Sequence, residues 1–188
     1  MKKAIFIDRD GTLNREVDVL RDIKQLEVFP NAAPALKALS ELGYYIVLIT
    51  NQPVIARGWL TEAQVDEIQA ELKRRIETDG GVINAMYYCP HHPNANLPEY
   101  RTECDCRKPN IGMITRATKE HDLDLQQSWM IGDMTGDIVA GKKAGLKTIL
   151  VKTGYAGTDG KHDVKPDYEA ADISEAVEII GKHGILSV

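Results

Sequence analysis

Asp8 and Asp10 stand one residue apart at the end of a short apolar run, Ile5-Phe6-Ile7, and are followed by Gly11 and Thr12. The run is too short for a helix and reads as a buried strand, and Gly11 lets the backbone turn tightly just beyond it. Asp10-Gly11 would suit a hairpin turn, but residues 12–16 do not continue as an alternating strand. An EF-hand calcium loop needs its glycine at the sixth position, whereas Gly11 would fall at the fourth. Further polar residues recur at strand ends: Thr50, Asn51 and Gln52 after one apolar run, and Asp133, with Asp137 close behind, after another. Lys108 follows a third run in the loop that enters a helix. Three carboxylates without charge relief repel one another, so a hard divalent cation is expected among them, and Mg²⁺ suits a few oxygen ligands with substrate phosphate. Thr50 offers a hydroxyl donor and Lys108 a positive charge to the equatorial oxygens of a transferring phosphoryl group. The chemistry that needs this set is phosphoryl transfer.

A second cluster is softer. All three cysteines lie in one stretch, Cys89-Pro90-His91-His92-Pro93 followed by Cys104-Asp105-Cys106. Three thiolates and an imidazole make a closed, four-coordinate zinc set. Cys89, His91, Cys104 and Cys106 are the expected ligands, since Cys-x-His mirrors Cys-x-Cys; His92 is the alternative and would otherwise face the pocket. Arg107-Lys108-Pro109 comes at once after Cys106. Zn²⁺ here would be structural, pinning the backbone beside Lys108.

Strands and helices must bring these residues together. Helical spacing covers 32–42 and stops at Gly43, and Tyr44 to Ile49 reads as a second buried strand. Thr61 and Gln64 form a capping-box signature opening a helix to about Glu77. A third strand is expected from Val82 to Tyr88, a helix from Asn110 to His121, a fourth strand from Ser128 to Ile131, a helix from Thr135 to Ala144, a fifth strand from Lys147 to Val151 and a last helix from Ile173 to Lys182. This alternation predicts an α/β fold, a doubly wound parallel sheet with helices on both faces, as a single domain over 1–188. In such sheets ligands bind outside the carboxyl ends of the strands, where the polar residues fall.

The 188 residues carry a net charge of −5, which gives no reason to expect nucleic acid or an anionic membrane as partner. No signal peptide or membrane span is visible, and an odd number of cysteines argues against a disulfide framework, so a cytoplasmic protein is expected. Nothing demands a second subunit, and a monomer is the expectation.

Asp8-x-Asp10-Gly11-Thr12, Thr50, Lys108 and Gly132-Asp133-x-x-x-Asp137 together resemble, in order, the four motifs of the haloacid dehalogenase-like (HAD) phosphatase superfamily. The resemblance implies a Rossmann-like fold and an Mg²⁺-dependent phosphomonoesterase. Asp8 would be the nucleophile, forming an aspartyl-phosphate, and Asp10 the general acid and then base. Mg²⁺ would be held by Asp8, the Asp10 carbonyl and Asp133, with Asp137 behind them, while Thr50 and Lys108 hold the phosphoryl group. The stretches between motifs are too short for the cap domain of larger members. A capless pocket would be completed by loops 51–60 and 89–108 and by a flap within 14–29.

The Cys-Pro-His-His-Pro…Cys-Asp-Cys-Arg-Lys-Pro loop, with Thr-Asn-Gln…Ala-Arg-Gly after the second strand, closely resembles the D-glycero-D-manno-heptose-1,7-bisphosphate 7-phosphatase subfamily. That resemblance implies a phosphorylated sugar substrate, contacts from Asn51, Gln52, Arg57 and Arg107, and a place in making heptose precursors of lipopolysaccharide or other surface glycans. Two departures touch substrate choice: Pro53-Val54 where the subfamily usually has Ser-Gly, and Val17-Asp18-Val19-Leu20 where its flap often carries Gly-Tyr. The rival within the superfamily is a histidinol-phosphate phosphatase. The rival of another class is a phospho-accepting receiver module, which would need an acceptor aspartate on the third strand, where Cys89 stands.

Overall fold

Strand alternation builds two cores. In the first strand, β1 (Lys2–Ile7), Ile5 and Ile7 face one core and Ala4 and Phe6 the other. The computed structural model describes residues 1–183. After β1 come α1 (Ala32–Glu41), β2 (Tyr45–Asn51), the one-turn α2 (Pro53–Ala56), α3 (Glu62–Thr78) and β3 (Ala85–Cys89). The rest is α4 (Gly112–His121), β4 (Leu123–Gly132), α5 (Thr135–Lys143), β5 (Lys147–Val151), β6 (Tyr168–Ala170) and α6 (Ile173–His183). Ile46 and Leu48 of β2 and Trp129 and Ile131 of β4 join the first core, under α1, α3 and α6. Val47, Ile49 and Met130 join the second, under α4 and α5. Strands buried on both faces explain why the sequence shows near-continuous apolar runs rather than alternation.

The strands form one parallel sheet in the order β3-β2-β1-β4-β5-β6. The α/β, doubly wound expectation is therefore borne out. Successive strands leave β1 to one side as far as β3, and the chain then crosses to β4 on the other. That reversal opens a crevice at the carboxyl ends of β1, β2 and β4.

Several boundaries differ from the sequence reading. β2 runs on to Asn51, whose backbone pairs with Cys89. β3 begins at Ala85, not Val82, because Asn84 spans the gap with its side chain: its Oδ1 accepts from Ile46 N at 2.7 Å. β4 begins at Leu123 rather than Ser128, since Leu123 and Asp124 pair with Lys2 and Lys3 before a register shift. The Ser128 hydroxyl repairs the ladder there, accepting from Ala4 N at 2.8 Å. The loop expected over 51–60 contains α2, with Pro53 in its first turn, where a fixed φ favours entry. β6 lies in a stretch with no strand pattern, and its Tyr168 packs on Trp129 with ring centroids 5.6 Å apart. α3 opens on the Thr61–Gln64 capping box expected of it.

Candidate active site

Lys108 is the hub of the crevice floor. Its Nζ donates to Asp8 Oδ1 at 2.7 Å, to Asp137 Oδ1 at 2.7 Å and to the Ile49 carbonyl at 2.9 Å, so all three protons are used. Burial opposes its charge, but the carboxylates of Asp137 and Asp8 hold its pKa above the usual lysine range. Asn51 fixes the same residue from the backbone side: its Nδ2 donates to Lys108 O and its Oδ1 accepts from Lys108 N, both at 3.0 Å.

Asp133 is fully buried at the end of β4. Its Oδ2 accepts from Tyr155 N at 2.7 Å, whereas Oδ1 has no partner among the described residues. Burial pushes both Asp8 and Asp133 well above the usual carboxylate range, with the neighbouring carboxylates adding to the effect. Ligand atoms of Asp8, Asp133 and Asp137 lie within 4.8 Å of one another. A buried, orphaned carboxylate oxygen among like charges is chemistry that a divalent cation completes, so the residues fit Mg²⁺. Asp137 already spends Oδ1 on Lys108 and Oδ2 on Met134 N, which suits it to stand behind the ligands. The approach is close enough to require glycine: at Gly11, with φ of +76°, a side chain would run into the Asp133 carboxylate.

Asp10 is organised differently. Its carboxylate accepts from Arg9 through Nε and Nη2, from Asn14 Nδ2 at 3.0 Å and from Gln52 Nε2 at 3.1 Å. Burial raises its pKa, but these donors, Arg9 foremost, hold it below the ordinary value. Gln52 Nε2 also donates to Thr50 Oγ1 at 2.9 Å, which leaves the buried Thr50 hydroxyl its own proton to give. Asn51 and Gln52, expected to touch substrate, thus have their amides engaged by the protein while still lining the cleft. Arg9 and Asn14 were missed by the sequence reading. For Arg9 the available signal was a charge directly between two candidate catalytic aspartates.

The cleft above this floor encloses about 420 Å³. Arg57, His92 and Arg107 line its rim, joined by Lys161 and His162 of the loop after β5 and by Glu16 and Asp18 of the flap. Arg107 is tied to the cysteine loop, its Nη1 donating to His91 O at 3.1 Å. Trp59 takes both Arg21 of the flap, 3.8 Å from its ring centroid, and Arg57, 4.8 Å away, and so joins flap to rim.

The loop brings Cys89, His91, Cys104 and Cys106 together. Their sulfurs are 3.0–3.5 Å apart, and His91 Nδ1 lies 3.4 Å from Cys106 Sγ and 3.8 Å from Cys89 Sγ. Tetrahedral zinc–sulfur bonds of about 2.3 Å set ligand edges of roughly 3.7 Å, so the donor set fits a four-coordinate zinc centre. The sulfurs are too far apart for a disulfide, and all three cysteines are free. His92 turns away from them: its Nδ1 accepts from Asn94 N at 3.1 Å and its ring lines the cleft.

Residues 105–176 match the family described as HAD-hydrolase-like. Over 159 residues, 84% of this chain and 87% of the relative, the sequence is 43% identical to the D-glycero-beta-D-manno-heptose-1,7-bisphosphate 7-phosphatase of Haemophilus ducreyi. It is 36% identical to the D-glycero-alpha-D-manno-heptose-1,7-bisphosphate 7-phosphatase of Photorhabdus laumondii, covering 94% of this chain and 97% of that one. The fold matches the crystal structure of the D,D-heptose 1,7-bisphosphate phosphatase of B. bronchiseptica, complexed with magnesium and phosphate. The TM-score is 0.84 at 28% identity, over 96% of this chain and 98% of the other.

Proposed function

This chain belongs to the heptose-1,7-bisphosphate 7-phosphatase family of HAD-like hydrolases, and from that premise we propose that it hydrolyses the 7-phosphate of D-glycero-D-manno-heptose 1,7-bisphosphate. The observation that carries the chemistry is Asp133 Oδ1, without a partner among the described residues and buried beside Asp8 and Lys108.

Lys108 holds one Asp8 oxygen and so fixes the carboxylate that attacks phosphorus. The Asp8 O–P bond forms as the ester P–O bond breaks, and Asp10, ionised in the free enzyme, takes up the proton that the phosphomonoester monoanion brings and gives it to the departing sugar oxygen. Asp10 then takes a proton from the water that attacks phosphorus, the Asp8–phosphate bond breaks, and inorganic phosphate leaves. Thr50 donates its hydroxyl proton to the phosphoryl oxygens, and Lys108 supplies charge where it accumulates. Mg²⁺ bound by Asp8, Asp133 and the Asp10 carbonyl would neutralise the phosphoryl charge and relieve repulsion among the carboxylates. At the rim, Arg57 and Arg107 suit the second phosphate, since a planar guanidinium matches phosphate oxygens bidentately. The acidic flap residues Glu16 and Asp18 face the same cleft and suit sugar hydroxyls. Zn²⁺ in the Cys89–His91–Cys104–Cys106 set would hold the loop that carries Arg107 and Lys108. Among the described residues no helix is long and apolar enough to cross a membrane.

Initial rates on the α- and β-anomers of heptose 1,7-bisphosphate, on histidinol phosphate and on fructose 1,6-bisphosphate test the assignment. One heptose anomer should give the highest kcat/KM; preference for histidinol phosphate would overturn the substrate but leave the mechanism. A stable phosphoprotein without turnover would overturn both.

A further inference from the structure

The mechanism leaves Arg9 without a task, although it sits between the two aspartates that perform it. Arg9 is only 1% exposed, a charge taken almost wholly out of water. Its Nε lies 3.1 Å from each Asp10 oxygen and its Nη2 2.8 Å from Oδ2. The remaining arm, Nη1, donates to Gln69 Oε1 at 3.0 Å. Gln69 lies on the buried stripe of α3 among Val65, Ile68, Leu72 and Ile76, and its Nε2 has no partner among the described residues. A buried amide with an unsatisfied donor is unfavourable by itself, so its acceptor end needs a reason to be there. Holding Arg9 is that reason. A guanidinium gripping a carboxylate fixes the carboxylate plane only if the guanidinium is itself held, and Nη1 is the arm that holds it.

We propose that Arg9, anchored by Gln69, is the positioning residue for Asp10: it keeps the carboxylate in reach of both the leaving oxygen and the attacking water. The inference rests on the reading of Asp10 as acid and base. Lysine cannot take Arg9's place, because a point charge has no fork with which to hold both Asp10 and Gln69.

The test uses the full chain with Mg²⁺ and two phosphomonoesters. The alkyl ester, heptose 1,7-bisphosphate, needs a proton on its leaving group; p-nitrophenyl phosphate does not. Arg9→Lys should lower kcat on the sugar phosphate by about 100-fold, the cost of misplacing a catalytic group by about 1 Å. Gln69→Met, which keeps volume and removes the acceptor, should lower it by about 10-fold with KM nearly unchanged. On p-nitrophenyl phosphate both variants should release a stoichiometric burst of nitrophenolate near the wild-type rate and then turn over slowly, because attack on the ester survives while water activation does not. Gln69→Glu, which restores an acceptor, should recover most of the lost rate. Thermal unfolding of each variant excludes general loss of structure. Wild-type kcat on the sugar phosphate in both Arg9→Lys and Gln69→Met overturns the proposal, as does an equal fall on both substrates without a burst. An Asp10→Asn control separates the failures: if it keeps full activity, the acid–base reading itself is lost, whereas its inactivity beside unimpaired Arg9 and Gln69 variants removes the positioning role alone.

Discussion

The floor of the cleft and its rim are built by opposite means. On the floor, Asp8, Thr50 and Asp133 stand at or just past the ends of adjacent parallel strands, so sheet register alone brings them together. On the rim, Arg57, His92 and Arg107 hang from loops, and local ties hold them: the Trp59 stack, the Arg107–His91 bond and the cysteine cluster. The floor crowds carboxylates around one lysine, while the rim gathers cations, with Arg107, Arg57 and Lys161 close enough to His92 to help burial lower its pKa. A floor fixed by the fold suits chemistry that stays constant, and a rim fixed by loops suits recognition that varies. The two anomers in the names of this chain's relatives are consistent with that division.

The sharpest break in the comparison comes from the floor. Asp8→Asn should lower phosphate release by at least ~10³-fold and Asp10→Asn by ~10²–10⁴-fold, measured as steady-state phosphate release. Wild-type turnover in either would sever the floor from the chemistry.

The cysteine cluster joins rim to floor and should come next. Cys104→Ala should lose zinc by elemental analysis and lower kcat by up to ~100-fold, as Lys108 and Arg107 shift. Full zinc content with an unchanged rate would separate the cluster from both.

The floor also predicts a pH effect. Asp8 and Asp133 have raised pKa values in the folded, metal-free protein. Above the ordinary carboxylate range the folded state then binds more protons than the unfolded chain, so stability falls as pH rises through that window. Mg²⁺ should offset the loss, giving a larger rise in Tm at about pH 8 than at about pH 5.5. Equal shifts at both would argue that the cation binds elsewhere.

The smallest effect belongs to the rim alone. Trp59→Ala should weaken substrate binding about 2- to 5-fold through KM, the scale of an exposed cation–π stack, with kcat unchanged. A fall in kcat instead would mean that the flap reaches the chemistry.

What was legible in the sequence follows the same division. The strands of the floor end in short continuous apolar runs followed by polar residues, and each local choice agrees with the sheet. The rim was harder to read. β6 is three residues long and is held by pairing with β5 and by Tyr168 against Trp129, neither of which leaves a local pattern. α2 looked like loop because a single turn begun by Pro53 has too few residues to show a period. Trp59 showed no function in sequence because its partners, Arg21 and Arg57, come from two different segments. The Arg9–Gln69 contact spans 60 positions. Its signal was nevertheless present: Gln69 interrupts the apolar stripe of α3, and a polar residue at a core position invites the question of what it binds.

The central claim is that Asp8 carries the phosphoryl group between two chemical steps. Acid-quenching the Mg²⁺-supplied protein during turnover of heptose 1,7-bisphosphate, followed by peptide mass spectrometry, tests it most directly. The account predicts a phosphoryl adduct on the peptide containing Asp8 and, with p-nitrophenyl phosphate as substrate, a more abundant one in a Gln69→Met background, where formation survives and hydrolysis of the intermediate is slowed. Turnover with no adduct there, or with the adduct on another residue, would contradict it.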